Sequence, residues 1–407
     1  MKIAIMGFGV VGSGVGEIIS NSPDSLKKRC GEEVEITRIL DLRDFPDSKY
    51  KCFTKNFEDI LNDDEIEIVL EVMGGTNPAY DFTKRLLMAG KHVVTSNKEL
   101  VAKHGTELLG IAKEKNINYL FEASVGGGIP IIRPLYSSLV SNELTDVVGI
   151  LNGTTNYILT QMIKEGASFE TALSGAQEKG YAEKDPTADV EGHDTCRKIA
   201  ILASLAFGRY VDSEEIQTEG ITKITLEDVA YAAELGSVIK LVGMAQRTQD
   251  GVFARVCPAI LKKEHPLGGI DDVFNGILVR GDGLGDVMFY GRGAGSLPTA
   301  SAVVSDVIEI VKHKDSHILL GWQEGKEGYL KNADEQVFRY YIRVAGEQGK
   351  SAEFCRDGFN VIVLDGEKYQ NEFAIVTPEM TGAEIEEFKQ SELAAYNILG
   401  SIRLVNQ

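Results

Sequence analysis

The segment AQEKGYAEKDPTADVEGHDTCRK, residues 176–198, decides how the rest of this chain is interpreted. Pro186 fixes its own φ angle and disfavours helical backbone at Asp185, so residues 180–188 are predicted to form a loop. Asp189 is the predicted N-cap of the helix that follows the loop. The apolar run in that helix indicates that most of it is buried.

Asp194 and Lys198 lie four residues apart on the predicted helix and therefore share one of its faces. On a solvated face such a pair is a common surface salt bridge that contributes only about 0.3–0.5 kcal/mol. The apolar run after the pair favours a partly buried face, where a carboxylate and an ammonium shift each other's pKa and can exchange protons. The residues alone leave both interpretations open.

The spacing of residues in this segment resembles the signature segment of homoserine dehydrogenase. The matching positions are Ala176, Gly180, Tyr181, Asp185, Pro186, Asp189, Gly192, Asp194 and Lys198. The resemblance is strong up to about residue 310. It implies the NAD(P)-dependent interconversion of L-homoserine and L-aspartate 4-semialdehyde in threonine, methionine and isoleucine biosynthesis. It also implies assembly as a homodimer or homotetramer.

Length and composition set broad limits on the class of protein. A chain of 407 residues is long enough for two or three domains, each with its own core. The net charge of −19 argues against nucleic acids and anionic membranes as partners. Five cysteines without CxxC spacing, no visible signal peptide and no apolar run of about 20 residues lead us to expect a cytoplasmic enzyme with free thiols.

The fold class predicted from the order of apolar and glycine-rich segments is α/β, and the resemblance implies the roles of its domains. An N-terminal Rossmann-type nucleotide-binding domain is followed by an α+β catalytic and dimerisation domain with a mixed sheet and by a small C-terminal ACT-like α+β domain. The predicted bounds are 1–130 for the first domain, to which the chain returns at 291–311, 131–311 for the second, 312–335 for a linker and 336–407 for the third.

A glycine-rich turn opens the nucleotide-binding domain. Residues 2–6 are predicted to form a buried strand, and GFGVVG at residues 7–12 leads from it into a helix-like run. In this context GxGxxG predicts a dinucleotide-binding turn, because its glycines permit a tight bend, approach of a pyrophosphate and close helix packing. The predicted cofactor contacts here are Gly7, Phe8, Gly9, Val10, Val11 and Gly12.

Asp41 and Arg43 follow the second predicted strand and favour opposite cofactors. An acidic residue at this point binds the ribose 2′-hydroxyl of NAD, whereas an arginine binds the 2′-phosphate of NADP. Side-chain alternation places both on the same side of the strand, so the residues do not decide between the cofactors. In the resembled family an Arg-Asp step here often serves NADP, which favours NADP, with NAD possible, and makes Arg43 a cofactor contact.

Two further turns follow predicted strands of the same sheet. Gly75 and Thr76 end one strand and Ser96 ends another, so all three are predicted to line the cofactor crevice at the carboxyl edge of the sheet. Lys98 lies at this edge and by itself would be read as an exposed loop lysine. The segment GKHVVTSNKEL, residues 90–100, resembles the homoserine dehydrogenase segment whose lysine contacts cofactor and substrate.

The segment SVGGGIP at residues 124–130 contains three consecutive glycines. Such a run can act as a hinge between domains or let main-chain carbonyls converge on a hard cation. The resemblance implies a bound Na⁺ or K⁺ held by main-chain oxygens. The matching positions are Glu122, Val125, Gly127 and Ile129.

The catalytic half is predicted to alternate strands with helices. Strands are expected at 147–151, 221–222, 254–260, 276–280 and 286–290, and helices at 157–163, 226–244 and 299–311. The polar turn at 152–156 is predicted to cap a helix through Thr154 or Thr155. The resembled family places this turn at the substrate pocket, and its later glycine turn returns the chain to the cofactor, which makes Gly293 a predicted contact.

The tail has the order strand, short helix, two strands, helix, strand, which resembles an ACT domain. It lacks the Pro-Gly turn and the long first helix usual after the first strand of that domain. A structural or dimerising role is therefore as well supported as the binding of a regulator.

The resemblance and the chemistry of the reaction assign roles to the site residues. Lys198 is predicted to donate the proton, Asp194 to orient it and Lys98 to support charge and proton transfer. Glu183 is predicted to bind the substrate ammonium and Asp189 to shape the pocket.

Two other functions fit part of the pattern. A phosphorylating semialdehyde dehydrogenase would need a nucleophilic cysteine. Cys196 is the nearest one, and its helical position points away from Lys198. A catalytically silent protein that senses NADP and amino acids is the other alternative.

Overall fold

The structure, a computed structural model, describes residues 1–405. The last two positions of the predicted ACT-like domain, residues 406 and 407, lie outside the described residues.

The first domain is built on a six-stranded parallel sheet. Its strands are β1 (Lys2–Met6), β2 (Glu35–Leu40), β3 (Phe53–Thr54), β4 (Ile66–Glu71), β5 (His92–Thr95) and β6 (Tyr119–Leu120). Its helices are α1 (Val10–Asn21), α2 (Pro23–Cys30), α3 (Glu58–Leu61), α4 (Ala79–Met88) and α5 (Lys98–Glu114). The strand order β3-β2-β1-β4-β5-β6 is that of dinucleotide-binding domains, which confirms the predicted Rossmann-type fold.

Helices cover both faces of this sheet, so its strands are continuous apolar runs rather than alternating ones. Ile3, Ala4, Ile5 and Met6 are all fully buried. This is the expected pattern for a parallel strand with protein on either side.

The second domain contains a larger, mixed sheet with helices on it. Its elements are α6 (Ile132–Ser137), β7 (Leu144–Ile150), α7 (Gly153–Glu165), α8 (Phe169–Glu178), α9 (Thr187–Val190), α10 (His193–Phe207), β8 (Gln217–Thr218), α11 (Leu226–Glu234), β9 (Ser237–Arg247), β10 (Val252–Lys262), β11 (Phe274–Gly281) and β12 (Gly285–Arg292). The strand order β12-β11-β7-β9-β10 is antiparallel throughout, while β8 joins β10 in parallel.

Two predicted elements of this domain are wrong. The predicted helix at 226–244 ends at Glu234, and β9 occupies the rest, because Gly236 at φ 64° reverses the chain and the β-branched run after it suits a strand. The strand predicted at 221–222 lies earlier, at Gln217–Thr218. The other predicted strands are confirmed within a few residues.

The chain before the helix of Asp194 and Lys198 also differs from its prediction. The side chain of Asp185 accepts a hydrogen bond from the backbone N–H of Thr187 at 3.1 Å, which starts a helical turn where only a loop was expected. Asp189 lies inside this turn, α9, and the N-cap of α10 is Gly192. Asp189 is therefore free to direct its carboxylate toward other side chains.

Helix α12 (Ser296–Lys312) returns the chain to the first domain. The Ser296 hydroxyl donates to the carbonyl oxygen of Val10 in α1 at 2.7 Å. A Cβ atom at Gly14 would stand 2.7 Å from the Ser296 Oγ, so the two helices meet at very short range. This contact fixes the glycine turn at the start of the chain relative to the second domain.

The tail contains β13 (Arg339–Ala345), β14 (Asn360–Ile362), β15 (Glu372–Val376), α13 (Gly382–Ser391) and β16 (Asn397–Val405). The predicted order is confirmed, with a 3₁₀ segment at Gln348–Phe354 in place of the first helix. Strand β16 pairs in parallel with β10, so the tail extends the catalytic sheet in the order β10-β16-β13-β15-β14. It nevertheless has a small apolar core of its own beneath α13.

Within residues 1–405, no helix combines the length and the apolar character needed to cross a membrane.

His92 in β5 provides a test of this packing. Its side chain is only 7% exposed, its Nδ1 accepts the Asn118 N–H at 3.0 Å, and burial lowers its pKa to about 4. Between its ordinary pKa of about 6.5 and about 4 the unfolded chain binds a proton that the folded chain excludes, so folding stability falls as pH falls. The unmodified chain should lose stability between about pH 7 and pH 4.5, in part through His92. We expect this loss to be smaller by on the order of 2 kcal/mol in His92→Gln. Urea unfolding at both pH values measures it.

The control is the interval from about pH 9 to pH 8, which lies above the ordinary pKa of histidine, so that His92 is neutral in both the folded and the unfolded chain. Over that interval His92→Gln and the unmodified chain should show the same pH dependence. Equal pH dependence in His92→Gln and the unmodified chain between about pH 7 and pH 4.5 would contradict the buried, neutral state of His92.

Candidate active site

Helix α10 carries Asp194 and Lys198 on its buried face. Asp194 occupies the first turn, where the positive end of the helix dipole favours a carboxylate. The side chains of Asp194 and Lys198 are 6% and 10% exposed, so the pair is not a surface salt bridge. The partly buried face expected from the apolar run is confirmed.

The Asp194 carboxylate is shared between two lysines from different domains. Its Oδ2 lies 2.7 Å from the Nζ of Lys198. Its Oδ1 lies 2.7 Å from the Nζ of Lys98, the first residue of α5 in the nucleotide-binding domain. Lys198 also donates to the carbonyl oxygen of Leu151 at 2.7 Å, whereas the side chain of Lys98 is 39% exposed. We refer to Lys98, Asp194 and Lys198 as the ionic triad.

Asn152 supports the triad and was not predicted. Its amide donates to Asp194 at 2.9 Å and to Asp189 at 2.7 Å. Its Oδ1 accepts the N–H of Thr155, so Asn152, and neither Thr154 nor Thr155, is the N-cap of α7. An asparagine directly before a helix is a recognisable cap signal, but the contacts of Asn152 with Asp189 and Asp194 depend on α9 and α10 passing close by.

The surroundings shift the pKa values of the two lysines of the triad in opposite directions. Burial lowers the pKa of Lys198, with Lys98 adding to the effect, and the attraction of Asp194 does not offset it. The pKa of Lys98 is raised, chiefly by Asp194. Burial alone would raise the pKa of Asp194, but the two lysines and Asn152 outweigh it and lower that pKa. Of the two lysines, Lys198 is thus the one that loses its proton more readily.

Asp189 lies beside the triad, while Glu183 lies on the exposed loop before α9. Burial and the nearby Asp194 charge raise the pKa of Asp189. Glu183 is exposed on the loop before α9, where its carbonyl oxygen accepts a hydrogen bond from Gln177. The Glu183 carboxylate is therefore accessible to a ligand from solvent.

Cys196 is not placed as a nucleophile. Its thiol is buried, and its Sγ donates to the carbonyl oxygen of Ser213 at 3.2 Å on the side of α10 away from Lys198. Burial raises the pKa of this thiol, which disfavours the reactive thiolate.

The glycine turn between β1 and α1 fits a dinucleotide. A Cβ at Gly12 would stand 2.0 Å from the carbonyl oxygen of Gly7, so this close approach requires glycine. Gly9 is the N-cap of α1. A Cβ atom added to Gly9 would have only the guanidinium of Arg43 within 4 Å, at 3.8 Å. No side chain caps the first turn of α1, whose N–H groups are available to a phosphate.

Asp41 and Arg43 lie together at the edge of this turn. Asp41 accepts the N–H of Phe8 at 2.8 Å and two hydrogen bonds from the Arg43 guanidinium, at 3.0 and 2.8 Å. The guanidinium is largely exposed. A cavity of about 510 Å³ opens here, and Lys55, which was not predicted, lines it together with Arg43 and the glycine turn.

The turns after β4 and β5 lie next to each other, because the two strands pair in parallel. The Asn97 amide donates to the carbonyl oxygen of Gly75 at 2.6 Å and its Oδ1 caps α5. Thr76 and Ser96 take part in these turns through backbone hydrogen bonds with Tyr80 and Glu71. The predicted cofactor contacts therefore lie beside the start of α5, whose first residue is Lys98. These contacts are Gly75, Thr76 and Ser96.

The segment predicted to bind a cation is buried under the later glycine turn. A Cβ at Gly127 would stand 2.5 Å from the carbonyl carbon of Gly293. The carboxylate of Glu122 accepts three backbone N–H groups from residues 131–133, at 2.6 to 2.8 Å. Of the hydrogen bonds outside helices and strands in residues 1–405, none ends on the carbonyl oxygens of Val125, Gly127 or Ile129. Within residues 1–405 those three carbonyls therefore accept no hydrogen bond, and the predicted cation site stays a prediction.

Two family models match the chain. The one described as homoserine dehydrogenase matches residues 130–308, and the one described as homoserine dehydrogenase, NAD binding domain, matches residues 7–122. Their junction falls in the glycine-rich segment between the two domains.

Curated proteins called homoserine dehydrogenase are similar over most of their length. The chain is 47% identical over 317 residues to the one from Synechocystis, with 76% of this chain and 73% of the relative covered. It is 41% identical over 352 residues to the one from Lactococcus lactis, with 84% and 82% covered.

Solved structures of homoserine dehydrogenases have a fold similar to that of this chain. A homoserine dehydrogenase from Thiobacillus denitrificans superposes with a TM-score of 0.89 at 34% identity, covering 100% of this chain and 98% of that one. A hyperthermophilic archaeal homoserine dehydrogenase, described as in complex with NADPH, superposes with a TM-score of 0.65 at 28% identity, covering 76% of this chain and 96% of that one. This chain belongs to the homoserine dehydrogenase family.

Proposed function

We propose that Lys198, held by Asp194 and assisted by Lys98, transfers the proton in the NAD(P)-dependent interconversion of L-homoserine and L-aspartate 4-semialdehyde. The observation that carries this assignment is the ionic triad, in which one buried carboxylate holds two ammonium groups, each at 2.7 Å. The triad lies where α10 meets the crevice edge of the nucleotide-binding sheet.

The reaction requires positive charge and a proton at one oxygen. The nicotinamide group, when bound, gives or takes the hydride. In the reductive direction the aldehyde oxygen gains negative charge, which the two ammonium groups stabilise, and Lys198 then donates a proton to it. In the oxidative direction Lys198 receives that proton from the alcohol. Asp194 does not compete for it, because its own pKa is lowered by the two lysines.

Recognition of the substrate's amino-acid end is assigned to α9 and the loop before it. The substrate carries an ammonium group, for which the exposed carboxylate of Glu183 is a suitable partner. Asp189 is held in place by the Asn152 amide and shapes the wall of the pocket between Glu183 and the triad.

The cofactor is assigned to the crevice above the glycine turn. Gly7, Phe8, Gly9, Val10, Val11 and Gly12 are proposed to hold the pyrophosphate, and Gly75, Thr76, Ser96 and Gly293 to complete the crevice. NADP is proposed as the preferred cofactor, with NAD possible, since the exposed Arg43 guanidinium and Lys55 both line the cavity at this edge. The archaeal relative described with NADPH supports this preference.

The remaining expectations from the resemblance are proposed more briefly. A monovalent cation, Na⁺ or K⁺, is assigned to the main-chain oxygens of Glu122, Val125, Gly127 and Ile129, supported by the three unpaired carbonyls. A homodimer or homotetramer in the cytoplasm is proposed from the family. The tail is proposed to be ACT-like, supported by its strand order, without assignment of a regulator.

Replacement of Lys198 tests the proton donor. Lys198→Met keeps much of the side-chain volume but has no proton to give, so kcat should fall by about 10²–10⁴-fold. Binding of NADPH, followed by its fluorescence, should be unchanged because Lys198 lies in the second domain. The reaction is followed by the loss of absorbance of NADPH with aspartate semialdehyde.

The matched control for Lys198→Met is Lys113→Met, an exposed lysine near the end of α5. It should turn over normally. Normal turnover by folded Lys198→Met would show that another group donates the proton.

Asn152→Asp separates the cap of α7 from the support of the triad. Aspartate caps a helix about as well as asparagine, so this variant keeps the cap of α7. It cannot donate to Asp189 and Asp194, and it adds a third carboxylate beside them. We expect kcat to fall by about tenfold or more. Unchanged kcat in the folded variant would show that Asn152 acts only as a cap, because aspartate keeps the cap.

Arg43→Gln tests the cofactor preference. Loss of a charged hydrogen-bond donor at the 2′-phosphate should raise the KM for NADPH by about tenfold or more. The KM for NADH should change little, which makes NADH the internal control. An equal rise for both cofactors would contradict the assignment of Arg43 to the 2′-phosphate.

A further inference from the structure

Residues 317–324, HILLGWQE, form an extended segment, which we call the strap, between the two domains that meet at the active site. Its start is fixed to the nucleotide-binding domain. The Nδ1 of His317 lies 2.7 Å from the carbonyl oxygen of Ile117, and the N–H of Ile318 donates to the Asn118 side chain at 2.8 Å. The strap therefore begins next to β6 and runs along the outside of α5.

Trp322, the single tryptophan of the chain, fastens the strap to α5. Its Nε1–H donates to the Thr106 hydroxyl at 2.8 Å. Its ring lies so close to Gly105 that a Cβ there would stand 2.7 Å from a ring carbon. The ring also meets Phe121 edge to face, with centroids 5.9 Å apart. A large aromatic contact and a hydrogen bond thus act on the middle of the helix that begins with Lys98.

The next residue of the strap is bound to the end of α10. The N–H of Gln323 donates to the carbonyl oxygen of Gly208 at 3.0 Å, and its carbonyl oxygen accepts the N–H of Tyr210 at 2.9 Å. The Gln323 side chain also accepts from the Arg209 guanidinium at 2.7 Å. The Tyr210 hydroxyl closes the connection by donating to the carbonyl oxygen of Ala102 in α5 at 3.0 Å.

The two helices joined in this way carry the ionic triad. Helix α5 presents Lys98 at its first position, and α10 presents Asp194 and Lys198. The 2.7 Å separation of Lys98 from Asp194 therefore depends on how α5 lies against α10. The two helices pack directly on each other. The strap and Tyr210 add connections that lie about one to two turns from Lys98 and about four turns from Asp194.

We propose that the strap sets the position of α5 against α10, and that Trp322 is a positioning residue that acts on the reaction through Lys98. The proposal rests on the function proposed above, because it assigns Lys98 to that reaction. It gives the linker between the catalytic sheet and the tail a part in catalysis, although no residue of the strap belongs to the triad.

Steady-state kinetics of strap variants test the proposal. Trp322→Ala removes the ring and its hydrogen bond, whereas Thr106→Val removes only the hydrogen bond from the α5 side. A displacement of Lys98 by about 1 Å should lower kcat by up to about 10²-fold, with the smaller effect in Thr106→Val. The control is Leu319→Ala, since Leu319 lies in the same strap and is 82% exposed. It should keep normal kcat and KM.

A double-mutant cycle with Lys98→Met separates positioning from general loss of structure. If Trp322 acts through Lys98, the Trp322→Ala change should lower kcat in the unmodified chain but hardly at all in Lys98→Met. If Trp322→Ala lowered kcat by the same factor in the unmodified chain and in Lys98→Met, the proposal would be overturned. Thermal midpoints establish that each variant is folded, and Thr106→Val serves in the same cycle if Trp322→Ala does not fold.

The outcomes for the two proposals are distinct. Normal kcat in Trp322→Ala and Thr106→Val, together with an impaired Lys98→Met, would overturn the role of the strap and leave the triad intact. Normal kcat in Lys98→Met would overturn the role of Lys98 in the proposed function and, with it, that of the strap.

Discussion

One buried carboxylate, that of Asp194, holds the active site together. Taking a charge out of water costs several kcal/mol per ion unless partners and hydrogen bonds offset it. Asp194 has an ammonium group on each oxygen and the amide of Asn152 on one of them. Because its partners come from α5, α10 and the turn after β7, this one group requires both domains to be in place. Removing any partner would leave an incompletely compensated charge at the site.

The arrangement divides the work between the two lysines. Lys198 is buried and its pKa is lowered by burial, which suits a group that must release and recover a proton. Lys98 is more exposed and its pKa is raised by Asp194, so it keeps the positive charge that the proposed mechanism uses to stabilise negative charge on the substrate. A homoserine dehydrogenase needs both properties at one oxygen. Placing the two lysines on opposite sides of the same carboxylate gives them different surroundings only a few ångströms apart.

Much of this could be predicted from the sequence because the decisive patterns are local. GxGxxG between a strand and a helix, and Asp194 and Lys198 at helical spacing, need no knowledge of distant parts of the chain. The errors have the same explanation. Helix α11 was extended through β9, because an apolar run fits a buried helix and a buried strand equally well. The double role of Asn152 and the anchoring of Trp322 on Gly105 depend on contacts between segments far apart in sequence, which no spacing rule reveals.

The most direct test of the central claim is a crystal structure of the enzyme with NADPH and a non-reactive substrate analogue. The account predicts the Nζ atoms of Lys198 and Lys98 both within about 3.2 Å of the oxygen at the reacting carbon, with Asp194 still bound to each. An analogue whose reacting oxygen meets neither lysine, while Lys198 stays bound to the carbonyl of Leu151 and out of reach, would contradict it.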